Sequence, residues 1–506
     1  MYANENEEEG GGAKRAQDAG EATNASFLRF AVVGSGPAGF YTADRLLKTF
    51  QNAAVDIIER LPTPFGLIRS GVAPDHPETK AVINQFSAVA AGERVGFFGN
   101  VTLGKDVSVE ELQQLYHGVV LAYGAESCRT LGAPGEDLPN VLSAREFVWW
   151  YNGHPDYVSL PVDLESAETA VILGQGNVAL DCARILLRNT DELAKTDIAA
   201  HALEALRKSK VRRVLVVGRR GPAQAACTAK EVREILGGGL ATGLKDVKIT
   251  IHDSDLQTTA LDQEEMKASR THRRVFDLLQ KAASRPPPAG ATKELEWVFF
   301  RSPVSFYASK DEQGKQTVGG VRFQKTRLEG GGNGRSQRAV GLAEFEDVPA
   351  GLVLRSIGYK SLPVPGLPFD YQKGVVPHQQ GRVLSSEGAS ASASGAPAGE
   401  VPGLYVVGWL KRGPTGIIGT NLIDAEETVA SIAEDAKRGL IGGFDAARQG
   451  GEGLRLLLRD KGVTHVPFEG WKRIDAVEVE RGADKGKPRE KMVDVQEMVK
   501  VAGSTS

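Results

Sequence analysis

Two glycine-rich loops, each directly behind an apolar strand-like run, constrain this chain more than any other feature. GSGPAG (34–39) follows Phe30-Ala-Val-Val33, and GQGNVA (174–179) follows Ala170-Val-Ile-Leu173. A strand, a tight glycine turn and a helix N-terminus together make a seat for a pyrophosphate. The glycines let the backbone close on the phosphates, and the exposed N–H groups and helix dipole favour their charge. One such motif is weak evidence. Two in one chain, with different residues at the ribose-reading positions, predict an enzyme that binds two different dinucleotides.

The ribose positions separate the two sites. Twenty residues after Gly39 stands Glu59, closing the strand-like run Val55-Asp-Ile-Ile-Glu59. A carboxylate there accepts hydrogen bonds from ribose hydroxyls and repels a 2′-phosphate, so the first loop suits FAD or NAD rather than NADP. In the second unit the next strand, Val214-Leu-Val-Val217, runs into Gly218-Arg219-Arg220. Taken alone, two arginines are an ordinary solvated pair. At the end of this strand they offer charge-assisted bonds to a 2′-phosphate, and the site reads as NADP-like. Ala179 replaces the third glycine of the second loop, which the fingerprint tolerates. Between this loop and the next strand, residues 191–210 read as an inserted amphipathic helix with a polar face.

A length of 506 residues allows two or three domains with sizeable cores. A net charge of −3 gives no global reason to expect nucleic acid or membrane binding, and no apolar run reaches the length of a membrane span. Cys128, Cys182 and Cys227 are far apart, without a CxxC or CxxxxC pair. That spacing excludes a redox-active dithiol of the disulfide-reductase kind and an iron–sulfur centre within the chain. Each cysteine is read as a small buried hydrophobe, and any flavin electrons must leave to an external acceptor. The acidic, Gly/Ala-rich segment 1–26 is expected to be disordered, and it resembles neither a secretory signal nor an Arg-rich transit peptide. The Ser/Ala/Gly tract within 384–400 reads as a low-complexity loop.

The strand patterns at 118–123, 351–358 and 403–409, with a helix-like run over 424–432, give the domain plan. The chain is read as α/β, with one Rossmann-like domain inserted into another. The outer domain takes 27–128 and 356–506, and the inserted domain takes 129–355.

Several long stretches carry a family resemblance. ERLPTPFGLIRSGVAPDHPETKAVINQF (59–86), GQGNVALDCARILL (174–187), GRRGPAQAACTAKEVRE (218–234), FFRSPVSF (299–306), RSIGYKS (355–361), GWLKRGPTGIIGTN (408–421) and GKPREKMVDVQEM (486–498) all resemble the adrenodoxin reductase family of mitochondrial-type NADPH–ferredoxin reductases. The similarity covers essentially everything from residue 28 onward.

The resemblance implies FAD in the outer domain, along Gly34, Gly36, Ala38 and Gly39, with Glu59 at the ribose. Leu67, Leu103, Trp409, Gly416, Ile417 and Ile418 complete that site. Leu103 stands where the family commonly has valine, and Trp409 where the wider two-dinucleotide class has aspartate. For NADP(H) it implies Gln175, Gly176, Asn177, Val178 and Ala179 at the pyrophosphate, Arg219 and Arg220 at the 2′-phosphate, and Glu231 and Gly416 near the nicotinamide. His76, Asp181 and Glu234 are the polar residues at the nicotinamide–flavin contact, expected to orient groups and balance protons rather than break bonds, since hydride transfer needs no acid–base dyad. No metal site is expected. The implied partner is a [2Fe–2S] ferredoxin of acidic character, docking on Arg233, Arg270, Arg273 and Arg274 of a chain that is a monomer by default. The implied compartment is the mitochondrial matrix, with the cytosol open because no transit peptide is recognisable. Two other readings stand beside it: an NADPH-dependent flavoprotein with a quinone, oxygen or partner-subunit acceptor, and a non-catalytic scaffold that binds both dinucleotides.

Overall fold

The computed structural model describes residues 27–503, except 167, 238–242, 311–313, 332–335, 386–398 and 442–447. The acidic 1–26 segment and most of the Ser/Ala/Gly tract lie outside the described residues.

Two sheets organise the chain. The first has seven strands in the order His378–Gln379, Arg382–Leu384, Glu400–Val406, Gly118–Leu121, Leu28–Val33, Ala53–Ile58, Val95–Phe98. Its last five strands run parallel, and the two short ones at the other end pair antiparallel. Near-continuous runs such as LRFAVV and AAVDII suit a sheet covered on both faces. One face buries Phe30, Val32, Val55 and Ile57 beneath Phe40, Phe65, Phe86 and Trp471; the other buries Ala31, Val33, Val119 and Leu121 with Leu410 and Leu454.

The second sheet is fully parallel, in the order Val141–Ser143, Leu352–Arg355, Thr169–Leu173, Arg213–Val217, Lys293–Val298, Val247–Ile251. A three-stranded antiparallel sheet, Arg301–Lys310, Gln316–Glu329 and Arg338–Pro349, covers part of one face. There Phe306, Val318, Val321 and Phe323 pack on Val171, Leu173 and Leu215. The chain passes from the first sheet to the second through Ser127–Cys128 and returns through Tyr359–Lys360, and these two crossings pair antiparallel with each other.

Two sequence expectations change here. The segment 191–210 is not one helix but two, Thr190–Leu193 and Ala200–Lys208. The break falls where Thr196 Oγ donates to Leu193 O and accepts from Ile198 N, and where Asp197 is drawn into an ion pair with Lys80. Cys128 is not a plain buried hydrophobe. It is half-buried, its sulfur lying 2.7 Å from Ser143 Oγ and 3.1 Å from the Arg145 Nε that donates to it. Cys182 and Cys227 are buried, as expected.

Candidate active site

Both glycine loops form the expected turns. Gly34 has φ +111°, and a Cβ there would lie 2.5 Å from Ala122 O; Gly174 has φ +125°, and a Cβ would lie 2.2 Å from Ser356 O. Only glycine fits such turns. Gly36 and Gly176 differ: each is the N-cap of the following helix, Pro37–Thr49 or Asn177–Leu187, and neither helix start has a side-chain cap. A Cβ at either position would meet nothing within 4 Å. Each loop therefore ends in open space beside unsatisfied helix N–H groups, which is what a pyrophosphate requires.

At the first loop Glu59 Oε2 accepts from Ser35 N at 3.0 Å and from Ser35 Oγ at 2.6 Å, and Oε1 accepts from Leu61 N at 3.0 Å. The carboxylate is thus held at the mouth of the loop. Phe65 N donates to Ser35 O, and a Cβ on Gly66 would come within 3.0 Å of Gly36 Cα, so the turn leading into Leu67 presses on the same loop. Leu103 packs beside the second face of the first sheet. From the far end of the chain, Gly408, with φ +70°, lies so close to Ala38 that a Cβ would sit 2.6 Å from the Ala38 Cβ. That approach brings Trp409 to the loop. Trp409 packs at a tilt against Tyr359, centroids 5.3 Å apart, and its indole N–H donates to Thr415 O at 3.2 Å. Gly416 and Ile417 are exposed, and Ile418 is half-buried against the core. An open loop, a carboxylate at its mouth and an aromatic wall suit FAD.

On the second loop Gln175 lies flat on Gly218, and its buried Nε2 has no hydrogen-bond partner. Asn177 Oδ1 accepts from Thr228 N at 2.8 Å, tying this loop to the start of the helix Ala229–Leu236. Val178 and Ala179 follow in the first turn, with Ala179 buried. Beyond the strand, Arg219 is exposed and Arg220 half-buried, and neither has an ion-pair partner among the described residues. Burial and the neighbouring Arg219 both hold Arg220 below its usual value. Two adjacent guanidiniums suit a 2′-phosphate.

Between the loops the two units meet in a buried ionic cluster. His76 comes from the first unit; Asp181 and Arg184 come from the helix Asn177–Leu187, and Glu231 and Glu234 from Ala229–Leu236. His76 Nε2 lies 2.6 Å from Glu234 Oε2, and His76 Nδ1 lies 3.0 Å from Arg184 Nη2. Arg184 also donates to both oxygens of Asp75, at 2.7 and 3.0 Å, and to Asp181 Oδ1 at 2.7 Å. Burial would raise Asp75, but Arg184, His76 and Arg188 hold it well below the usual carboxylate range. Burial raises Asp181 despite Arg184. For the His76–Glu234 pair burial opposes both charges, yet their mutual hydrogen bond raises His76 and lowers Glu234. Glu231 is pushed up to about 7 by burial and by the carboxylates of Asp181 and Glu234. Its Oε2 and Arg184 Nη1 are buried without hydrogen-bond partners, 3.8 Å apart. The unsatisfied Glu231 and Arg184 atoms in this cluster fit a polar ligand such as a nicotinamide nucleotide.

His76, Glu78 and Glu234 also bring ligand-type atoms within 4.8 Å of one another. Lys230 already pairs with Glu78 at 3.2 Å and with Glu234 at 3.5 Å, so an ammonium occupies the charge position that a metal would take.

The structure thus brings together His76, Asp181, Glu231 and Glu234. Arg233, Arg270, Arg273 and Arg274 lie away from this cluster, all exposed, on the packed helices Ala229–Leu236 and Arg270–Ala283. Arg273 is paired with Asp277 at 3.1 Å. Sequence reasoning missed Asp75, Arg184 and Tyr359. The signal for Arg184 was available: a lone arginine in the apolar run of LDCARILL must find buried partners.

Two nucleotide-binding folds facing each other across a buried junction define the class of two-dinucleotide flavoprotein oxidoreductases. The family model for pyridine nucleotide-disulphide oxidoreductases matches residues 28–250. Among curated relatives, the mitochondrial NADPH:adrenodoxin oxidoreductase of Arabidopsis thaliana is 56% identical over 94% of this chain and 96% of its own length. That of Bos taurus is 48% identical over 93% of this chain and 91% of its own length. A solved structure, Mycobacterium tuberculosis FprA in complex with NADPH, is 38% identical with a TM-score of 0.84, covering 94% of this chain and 100% of that one. The chain belongs to the NADPH:adrenodoxin oxidoreductase family. It is an oxidoreductase that uses FAD and NADP(H).

Proposed function

We propose that this chain takes a hydride from NADPH onto bound FAD and hands the electrons singly to a [2Fe–2S] ferredoxin. The observation that carries the reading is the 2.6 Å contact between His76, from the unit of the first loop, and Glu234, from the unit of the second. That contact supports a meeting place for the two dinucleotides beside His76.

When bound, the flavin supplies the hydride-accepting and single-electron-donating chemistry. The protein's residues bind and orient. The open helix starts behind Gly36 and Gly176 hold the pyrophosphates, and Glu59 takes ribose hydroxyls. Arg219 and Arg220 select the 2′-phosphate. Trp409, braced by Tyr359, walls the flavin side, and Leu67, Leu103, Gly416, Ile417 and Ile418 complete it. His76, Asp181 and Glu234 keep the protonation of the junction fixed while charge moves between the rings, and Glu231 with Arg184 presents unsatisfied polar atoms to the nicotinamide side.

Arg270 and Arg274 stand at i, i+4 near the start of one helix, with Arg233 on a neighbouring helix. Exposed cations spread over two adjacent helices suit an acidic ferredoxin. The names of the plant and animal relatives support a mitochondrial site of action, and a monomer is the simplest assembly.

The reading is tested by anaerobic rapid mixing of the yellow holoprotein. NADPH should bleach the flavin faster than NADH does, and oxidised ferredoxin should then restore the colour. Bleaching that ferredoxin cannot reverse would move the acceptor to a quinone, oxygen or another subunit. Flavin that NADPH cannot bleach would support a scaffold.

A further inference from the structure

Arg184 is fully buried, its side chain 0% exposed, in a helix whose other buried residues are apolar. A guanidinium carries only donors. Its Nη2 lies 3.0 Å from His76 Nδ1, sharing with it the two hydrogens that also serve Asp75 and Asp181, and a protonated Nδ1 would set two donors against each other there. The ring proton then belongs on Nε2, where it donates to Glu234 Oε2 at 2.6 Å. We propose that Arg184 is a positioning residue for hydride transfer, favouring the Nε2–H tautomer of His76 and opposing a second proton on Nδ1. The inference rests on the reading that nicotinamide and flavin meet beside His76.

The surroundings make this restraint necessary. From its own segment His76 faces Asp75, whose Oδ1 is 3.6 Å from Nδ1, and Glu78; from the helix 177–187 it faces Asp181 and Arg184; from the helix 229–236 it faces Lys230, Glu231 and Glu234. Carboxylates therefore lie near both ring nitrogens, and each favours a doubly protonated, charged ring. Arg184 opposes that charge and occupies the position that a second proton would need. A fixed imidazolium at the junction would be unfavourable, because positive charge develops on a nicotinamide as hydride leaves it. The charge of Arg184 itself is balanced by Asp75 and Asp181; Arg188 shares Asp75, and its own charge is offset by Glu192. Lysine cannot substitute: a point charge cannot hold Asp75 through two parallel bonds while also donating to Asp181 and keeping a donor against His76 Nδ1.

The test uses the FAD-loaded protein with 15N-labelled histidine, the His76 signal being assigned by its loss in His76→Gln. The wild-type spectrum should show protonated Nε2 and unprotonated Nδ1. In Arg184→Lys the His76 titration should move to higher pH. Flavin bleaching by NADPH at neutral pH should slow about tenfold, with recovery in alkali and little change in KM. Arg188→Gln serves as the control. It removes a cation from the same Asp75 without touching the ring, and it should leave the tautomer and the pH profile unchanged. A wild-type ring protonated on Nδ1, an unshifted Arg184→Lys profile, or an equal shift in Arg188→Gln would each overturn the proposal. If the lysine variant cannot hold flavin, the wild-type tautomer decides alone. A chain that failed to reduce ferredoxin would still bleach with NADPH, so that failure is separate from this one.

Discussion

Gly34 and Gly36 stand two residues apart and do different work. At Gly34 the backbone has φ +111°, and a Cβ would strike Ala122 O at 2.5 Å, so Gly34→Ala should cost roughly 1–3 kcal/mol or more and disturb the fold. At Gly36 a Cβ meets nothing within 4 Å and φ is −76°. Gly36→Ala should therefore fold with normal stability but purify largely colourless, because the methyl takes the space of the pyrophosphate. Equal flavin content in that variant would remove the phosphate from the loop. Glu231 makes a second residue-scale prediction. Its folded value is raised to about 7 from an ordinary 4.5, so the native state holds its proton more tightly than the unfolded chain does. This stabilising contribution is whole below about pH 4.5 and lost as pH rises through about 7. In Glu231→Gln that loss disappears. Melting temperatures measured below and above this window should show the variant gaining on the wild type as pH rises.

At the scale of elements, the helix Arg270–Ala283 buries Val275, Phe276, Leu279 and Ala282 and turns Arg270 and Arg274 outward. Reversing both charges should raise the KM for ferredoxin roughly tenfold at low salt and flatten its salt dependence, because steering charges act mainly on encounter. NADPH oxidation with a small dye should not change; a parallel loss there would mean a structural defect instead. The two loops proposed to bind phosphates could be read in the sequence as structure because a strand, a glycine turn and a helix start are local, and their spacing survives in one dimension. The break at 194–199 could not, since it depends on Asp197 reaching Lys80, 117 residues away in the chain. For the same reason His76 was legible as a residue but its partners were not: the bond to Glu234 spans 158 positions and the contact with Arg184 spans 108. The three-stranded sheet beginning at Arg301 also went unread. Its strands face solvent on one side, and FFRSPVSF marked the first of them as a family stretch without showing a sheet.

For the whole molecule, the decisive arrangement is two cores tied at the junction and again by the C-terminal tail. Lys491 reaches Asp197 and the carbonyl of Arg69, while Glu490 accepts from Ala200 N. The tail is anchored through Glu478, whose fully buried carboxylate accepts from Arg69 at 2.9 and 2.5 Å and from Met492 N at 2.8 Å. Glu478→Gln would leave Arg69 buried with a weakened partner, and it should lower stability by about 3–5 kcal/mol in a denaturant titration. A change below about 1 kcal/mol would show that the tail is not a structural tie. The central claim concerns how the two nucleotide folds divide their labour. Its most direct test is cytochrome c reduction by the purified protein with and without a [2Fe–2S] ferredoxin, driven by NADPH or NADH, in the wild type and in the Arg219→Ala/Arg220→Ala variant. The account predicts a rate that requires ferredoxin and strongly prefers NADPH, with that preference reduced by about tenfold or more in the variant. A rate independent of ferredoxin, or a preference for NADPH that survives loss of both arginines, would contradict it.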